Sequence, residues 1–133
     1  MILLDTHALV WYVAEPSRIP VRSRRLLDGA VKASEALAVS AISVWEIAML
    51  VQRGRLQLTV DSDTWIANVE ALPFLAFQPV DTVIARRAVS LADFPDRDPA
   101  DRMIVATALG LNATLVTADR RMRSYAKVRT SWD

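Results

Sequence analysis

Residues 1–15 read MILLDTHALVWYVAE, and the order of residue types in that stretch decides the fold class. MILL (1–4) is an apolar run too short for a helix and suited to a buried strand. Asp5 interrupts it at once, and ALVWYVA (8–14) then reads as a helix that stops before Pro16. A buried strand that hands an acid to a helix is the kind of unit from which parallel α/β sheets are built.

The rest of the chain repeats the alternation. Residues 21–33 look helical, with Leu26/Ala30 and Leu27/Val31 spaced by four on an inner face. LAVS (37–40) is the second strand, and SVWEIAMLVQR (43–53) is a helix with Ser43 as N-cap and Gly54 just past its end. Residues 63–72 place Trp65, Ile66, Val69 and Leu72 on one stripe, and Pro73 ends that helix. FLAFQPV (74–80) is a short strand, and Asp81 caps a helix over 82–92 that turns Ile84, Ala88 and Leu91 inward. The polar loop DFPDRD leads to Asp98-Pro99, an N-cap followed by proline at the first helical position, and that helix runs to Gly110. TLVT (114–117), a short basic helix over 119–126 and VRT (128–130) complete the chain. The expected architecture is a three-layer α/β sandwich: a five-stranded parallel sheet with helices on both faces.

Composition narrows the chemistry. The 133 residues are 53% hydrophobic and 23% charged, which describes one globular domain over 1–133 rather than a disordered chain. With no cysteine and a single histidine, His7, thiolate zinc sites, iron–sulfur clusters, disulfides and cysteine nucleophiles are excluded. Three glycines, Gly29, Gly54 and Gly110, cannot assemble a phosphate loop or a GxGxxG turn. No apolar run approaches the roughly 18 residues needed to cross a bilayer, and the first residues lack the basic start of a secretory signal. The absence of cysteine fits a cytoplasmic location. Net charge is +1, yet 14 of the 16 basic residues are arginine, which grips phosphate in two-pronged fashion. A GC-rich coding preference explains the same count.

Ligands of open parallel sheets bind beyond the carboxyl ends of the strands. Asp5 follows the first strand, Glu46 lies early in the helix after the second, Asp101 lies in the first turn of the 99–110 helix, and Asp119 follows TLVT by two residues. Each has a plain alternative as a helix cap: Ser43-x-x-Glu46 and Asp98-x-x-Asp101 have capping-box spacing, and Asp5 and Asp119 precede helices. Against capping, Glu46 shares a helix face with Ile42, Met49 and Leu50, and Asp101 shares one with Ile104, Val105 and Ala108. Carboxylates on core-facing stripes are costly without a partner, and a shared cation would serve several at once. All-oxygen ligation suits hard ions, Mg²⁺ or Mn²⁺, which support attack of activated water on a phosphodiester.

Four blocks in order, LLDTHALVW, AISVWEIAML, DRDPADRMIVATAL and TLVTADRRM, resemble the PIN-domain family, in particular the VapC-type toxin ribonucleases of bacterial toxin–antitoxin pairs. The resemblance spans residue 1 to about residue 130. It implies a sheet of order 3-2-1-4-5 and a metal-dependent endoribonuclease with Asp5, Glu46, Asp101 and Asp119 as catalytic, metal-holding acids. Thr6 and Thr117 match small hydroxyl positions beside them. Asp98 also matches a frequent acid of the family, and its capping role explains it equally well. The resemblance further implies Mg²⁺ or Mn²⁺ as cofactor, RNA as substrate, a homodimer and a small VapB-like antitoxin partner. Arg102 and the basic run from Arg120 and Arg121 onward are candidates for phosphate contact; a solvated basic surface is the alternative for the run, and local pairing beside Asp101 is the alternative for Arg102. The four tryptophans allow a partner groove or core packing, and Trp132 is the least expected in a core. A non-catalytic RNA- or protein-binding module, or a DNA nuclease of the same fold, would carry the same pattern.

Overall fold

The computed structural model describes residues 1–133. Five strands, β1 (Ile2–Leu4), β2 (Leu37–Ser40), β3 (Leu75–Gln78), β4 (Thr114–Val116) and β5 (Arg129–Ser131), form one sheet of order β3-β2-β1-β4-β5. Every pairing is parallel, with Leu3 opposite Ala38 on one side and Leu115 on the other. The helices are α1 (Thr6–Ala14), α2 (Val21–Lys32), α3 (Ala41–Gln52), α4 (Ser62–Glu70), α5 (Thr82–Val89), α6 (Pro99–Leu111) and α7 (Arg120–Ser124). The expected fold class and strand order are those observed.

The three residues of β1 are all buried because the strand lies at the centre of the sheet, with helices on both faces. Successive strand residues point to opposite faces, so the apolar run feeds two cores. Ile2 and Leu4 join Leu9, Leu27, Val39, Ile47 and Val116 on one side. Leu3 joins Ala38, Ile104, Val105, Leu115 and Met122 on the other. Truncating a fully buried leucine such as Leu3 or Leu4 to alanine would cost about 2–5 kcal/mol.

Local chemistry moves several boundaries from their expected places. Helix α3 starts at Ala41, because β2 runs into it without a loop: Ser40 is extended and its hydroxyl accepts from the Ile42 amide at 3.2 Å. Ser43, expected as the cap, is therefore inside the helix and buried. Helix α6 passes through Gly110 and ends at Asn112, whose φ of 51° supplies the left-handed cap. Gly110 serves close packing instead, since a Cβ there would stand 2.6 Å from Nη1 of Arg87 on α5. Helix α5 stops at Val89 rather than 92, and Leu91 reaches the core from the following turn. On α2 the inner face is Ser23, Leu27 and Ala30, while Leu26 is exposed. The EPSRIP segment holds a 3-10 turn at Pro16–Arg18.

Strand order places the site. From β1 the chain builds outward through β2 and β3, then returns past β1 to build β4 and β5. The reversal falls between β1 and β4, and the crevice beyond the carboxyl ends of those two strands is where ligands of such sheets bind.

Candidate active site

A cleft of about 390 Å³ opens at that reversal point, lined by Asp5, Thr6, His7, Trp11, Glu46, Asp101, Ile104, Ala118 and Asp119. The structure thus brings the four sequence-predicted acids to one cavity from four elements: the end of β1, helix α3, the start of α6 and the start of α7. Oxygens of Glu46, Asp98 and Asp101 lie within 4.8 Å of one another, and so do oxygens of Asp96, Asp101 and Asp119. Asp101 is common to both triads. Asp5 belongs to neither, and it is buried where Glu46, Asp101 and Asp119 are half-buried.

Each acid is held in place by a different local device. Asp5 is buried, and it caps α1 by accepting the Ala8 amide on Oδ1 at 2.8 Å. Its Oδ2 accepts the hydroxyl of Thr117. Thr117 in turn accepts the Asp119 amide at 3.0 Å. Asp119 caps α7 through Oδ1, which accepts from Arg121 and Met122, and its Oδ2 carries no bond to the protein. Glu46 projects from the second turn of α3 and accepts the hydroxyl of Thr6, whose oxygen is 2.8 Å from the buried Ser43 hydroxyl. Capping therefore describes Asp5 and Asp119 without exhausting them, and does not describe Glu46. Asp98 is a cap as well, accepting from the amides of Ala100 and Asp101, and it still contributes an oxygen to the first triad.

Asp96 escapes the sequence reading. It is 3% exposed, accepts the Asp98 amide at 2.9 Å, and pairs with Arg121 at 3.2 Å. The signal was the acid two residues before the cap in DFPDRD, where a short side chain can turn back on the backbone. Asp96 thus performs the reciprocal capping expected of Asp101 and leaves Asp101 free to face the cleft.

The electrostatics follow from crowding. Burial pushes the Asp5 carboxyl up to about 6, against the lowering effect of its bonds from Thr117 and Ala8 and of nearby His7. Burial also pushes Asp101 up to about 9, helped by a hydrogen bond with Asp96 and by the charges of Asp98, Asp96 and Glu46. Asp96 is held below the usual carboxylate range, first by that same hydrogen bond. The two carboxyls titrate as a pair, the crowding raising Asp101 and lowering Asp96.

The basic candidates separate. Arg102 does not face the cleft: its guanidinium donates to the carbonyls of Ala88 and Asp96 at 2.7 Å and of Val89, Leu91 and Phe94 at 3.3 Å. Its expected phosphate role is corrected to that of a pin for the turn between α5 and α6, because a fork of five N–H donors satisfies carbonyls that no strand or helix pairs. Arg121 is engaged by Asp96, while Arg120 is exposed and unpaired. His7 is exposed beside Trp11, with ring centroids 5.6 Å apart. Trp132, expected to be peripheral, packs on Trp11 at 5.7 Å, and it is Trp45 that is exposed, at 56%.

Comparison with known proteins bears on this arrangement. Residues 2–128 match the PIN domain family model. The chain is 37% identical over 134 residues to ribonuclease VapC22 of Mycobacterium tuberculosis (strain ATCC 25618 / H37Rv), covering 98% of each sequence. Its fold is shared by VapBC2 from Rickettsia felis, solved bound to a promoter DNA fragment (TM-score 0.71, 18% identity, all of both chains). It is shared too by a toxin–antitoxin complex from Klebsiella pneumoniae (TM-score 0.61, 18% identity, 96% of this chain and 95% of that one).

Proposed function

From the premise that this chain belongs to the PIN domain family, we propose that it is a metal-dependent endoribonuclease, the toxin of a toxin–antitoxin pair, acting as one nuclease domain over residues 1–133. The observation that carries the reading is the convergence of Asp5, Glu46, Asp101 and Asp119 on one cleft that no lysine or arginine lines. The similarity to a named ribonuclease supports the reaction class, and the fold shared with toxin–antitoxin complexes supports a small VapB-like antitoxin as partner.

The donor set fits a hard divalent cation. All donors are carboxylate oxygens, two triads have ligating spacing, and Asp119 keeps one oxygen free of the protein. Asp5, Glu46, Asp101 and Asp119 would hold Mg²⁺ or Mn²⁺, with Asp98 adjoining. When bound, the ion offsets the charge of a substrate phosphate and makes a water acidic enough to attack it. The chain's own residues supply the positioning. Thr117 and the Ala8 amide fix both oxygens of Asp5, so its carboxylate cannot swing. Thr6 orients Glu46, leaving the second carboxylate oxygen to receive a proton from attacking water.

Single-turnover cleavage of RNA with Mg²⁺ or Mn²⁺ tests the proposal. Asp5→Asn, Glu46→Gln and Asp101→Asn should each lower the rate by at least about 100-fold while the circular dichroism spectrum is kept. Parental rates in all three variants would overturn the assignment. A parent that binds RNA without cutting it would favour the non-catalytic module, and one that cuts DNA alone would favour the DNA nuclease.

A further inference from the structure

Beside the acidic cleft lies a second cavity of about 520 Å³, lined by Arg120, Arg123, Ser124, Thr130, Trp132 and Asp133. Its character is the reverse of the first. Arg120 and Arg123 are exposed and make no ion pair, while the one acid present, Asp133, is occupied by Arg22 at 3.1 Å. The two cavities adjoin at two points. Asp119 of the first is followed directly by Arg120 of the second. Trp11 of the first packs on Trp132 of the second, with ring centroids 5.7 Å apart. Arg18 lies over the Trp11 ring at 4.6 Å and leaves Trp132 as the ring presented to the second cavity.

We propose that this second cavity is a nucleotide subsite: an unpaired base of the RNA stacks on Trp132, backed by Trp11, and the phosphates flanking that base lie on Arg120 and Arg123. The inference rests on the nuclease reading of the first cleft and adds where the strand runs beside it. The physical case is one of complementarity. A cleft of carboxylates repels the polyanion it must receive, so the strand needs cationic anchorage close by. Aromatic faces bordered by arginines supply that anchorage for single strands, because each base has a face to stack and a phosphate to pair. Helix α7 divides its arginines accordingly: Arg121 turns to Asp96, whereas Arg120 and Arg123 border the second cavity.

The test is binding of a labelled random-sequence single-stranded RNA oligonucleotide to the full chain in EDTA, so that affinity is read apart from cleavage. The parent should bind the single strand more tightly than duplex RNA. Arg120→Gln/Arg123→Gln should lower the slope of log affinity against log salt by about 1.4, two contacts at roughly 0.7 each for single strands. Trp132→Leu, which keeps an apolar cover over Trp11, should weaken binding about tenfold, the loss of one stacked base, and Trp132→Phe should restore most of it. Parental affinity and salt slope in the double variant, equal binding of duplex, or no binding by the parent would each overturn the subsite. These results are separable from the parent reading: RNA binding that responds to the variants without cleavage under Mn²⁺ would sink the nuclease and spare the subsite, and cleavage indifferent to them would do the opposite.

Discussion

Thr117, at the end of β4, donates its hydroxyl to Asp5, at the end of β1, across 112 residues of sequence. The bond spans the point where the strand order reverses, and the same oxygen accepts the Asp119 amide at 3.0 Å. One side chain therefore ties two of the four acids to each other and to the sheet. Thr117→Val keeps shape and burial and removes both bonds. The expected cost is about 1–3 kcal/mol, because Asp5 and the Asp119 amide lose their partner. The Asp5 carboxyl should also move further above about 6, since the Thr117 bond is the largest influence lowering it. Chemical denaturation gives the first quantity and carboxyl NMR titration the second.

Metal-free stability should decline with rising pH. Asp5 and Asp101 have folded-state values raised from 3.8 to about 6 and about 9, so the folded protein binds protons more tightly than the unfolded chain. Their contribution is full below about pH 4 and is lost as pH climbs through about 6 for Asp5 and about 9 for Asp101. Melting in EDTA should show the fall across that window, and millimolar Mn²⁺ should raise the melting temperature most at its upper end. Asp101→Asn should flatten the upper part of the profile.

Arg102 should behave as a structural residue. Arg102→Gln strips five backbone carbonyls of a charged donor and should cost about 3 kcal/mol. The salt dependence of RNA binding should stay parental, because the guanidinium is spent inside the fold. A lowered salt slope with unchanged stability would return Arg102 to the nucleic-acid surface.

Glu46 depends on Thr6 for its orientation. Thr6→Val should lower the cleavage rate about tenfold with little change in KM, an effect on positioning rather than on binding. Thr6→Ser, which keeps the hydroxyl, should recover most of the rate. Steady-state kinetics of the two variants separates this from a packing defect, which both would share.

Much of this was legible in the residues themselves. The inner strands β1, β2 and β4 lie where short apolar runs meet an acid, a serine or a threonine, because buried parallel strands tolerate little else, whereas the edge strand β5 is the polar Arg129–Ser131 and carries no such run. Asp98-Pro99 marked the start of α6 because a cap and a first-turn proline act on the backbone beside them. What failed needed tertiary knowledge. Ser40 displaced Ser43 as a cap because β2 enters α3 with no intervening loop. Gly110 looked like a helix end, but its packing against Arg87 is invisible along the chain. Arg102 looked like a phosphate ligand because sequence cannot show which carbonyls lack partners. Asp96 was missed because its burial comes from the turn that Arg102 pins.

The central claim is that carboxylates from separate elements hold one divalent ion, and Mn²⁺ binding followed by electron paramagnetic resonance tests it most directly. The parent at neutral pH should bind Mn²⁺ and deplete the free-ion signal, and Asp5→Asn and Asp101→Asn should each weaken that binding at least about tenfold. A parent that leaves millimolar Mn²⁺ free, or variants that bind it as well as the parent does, would contradict the account.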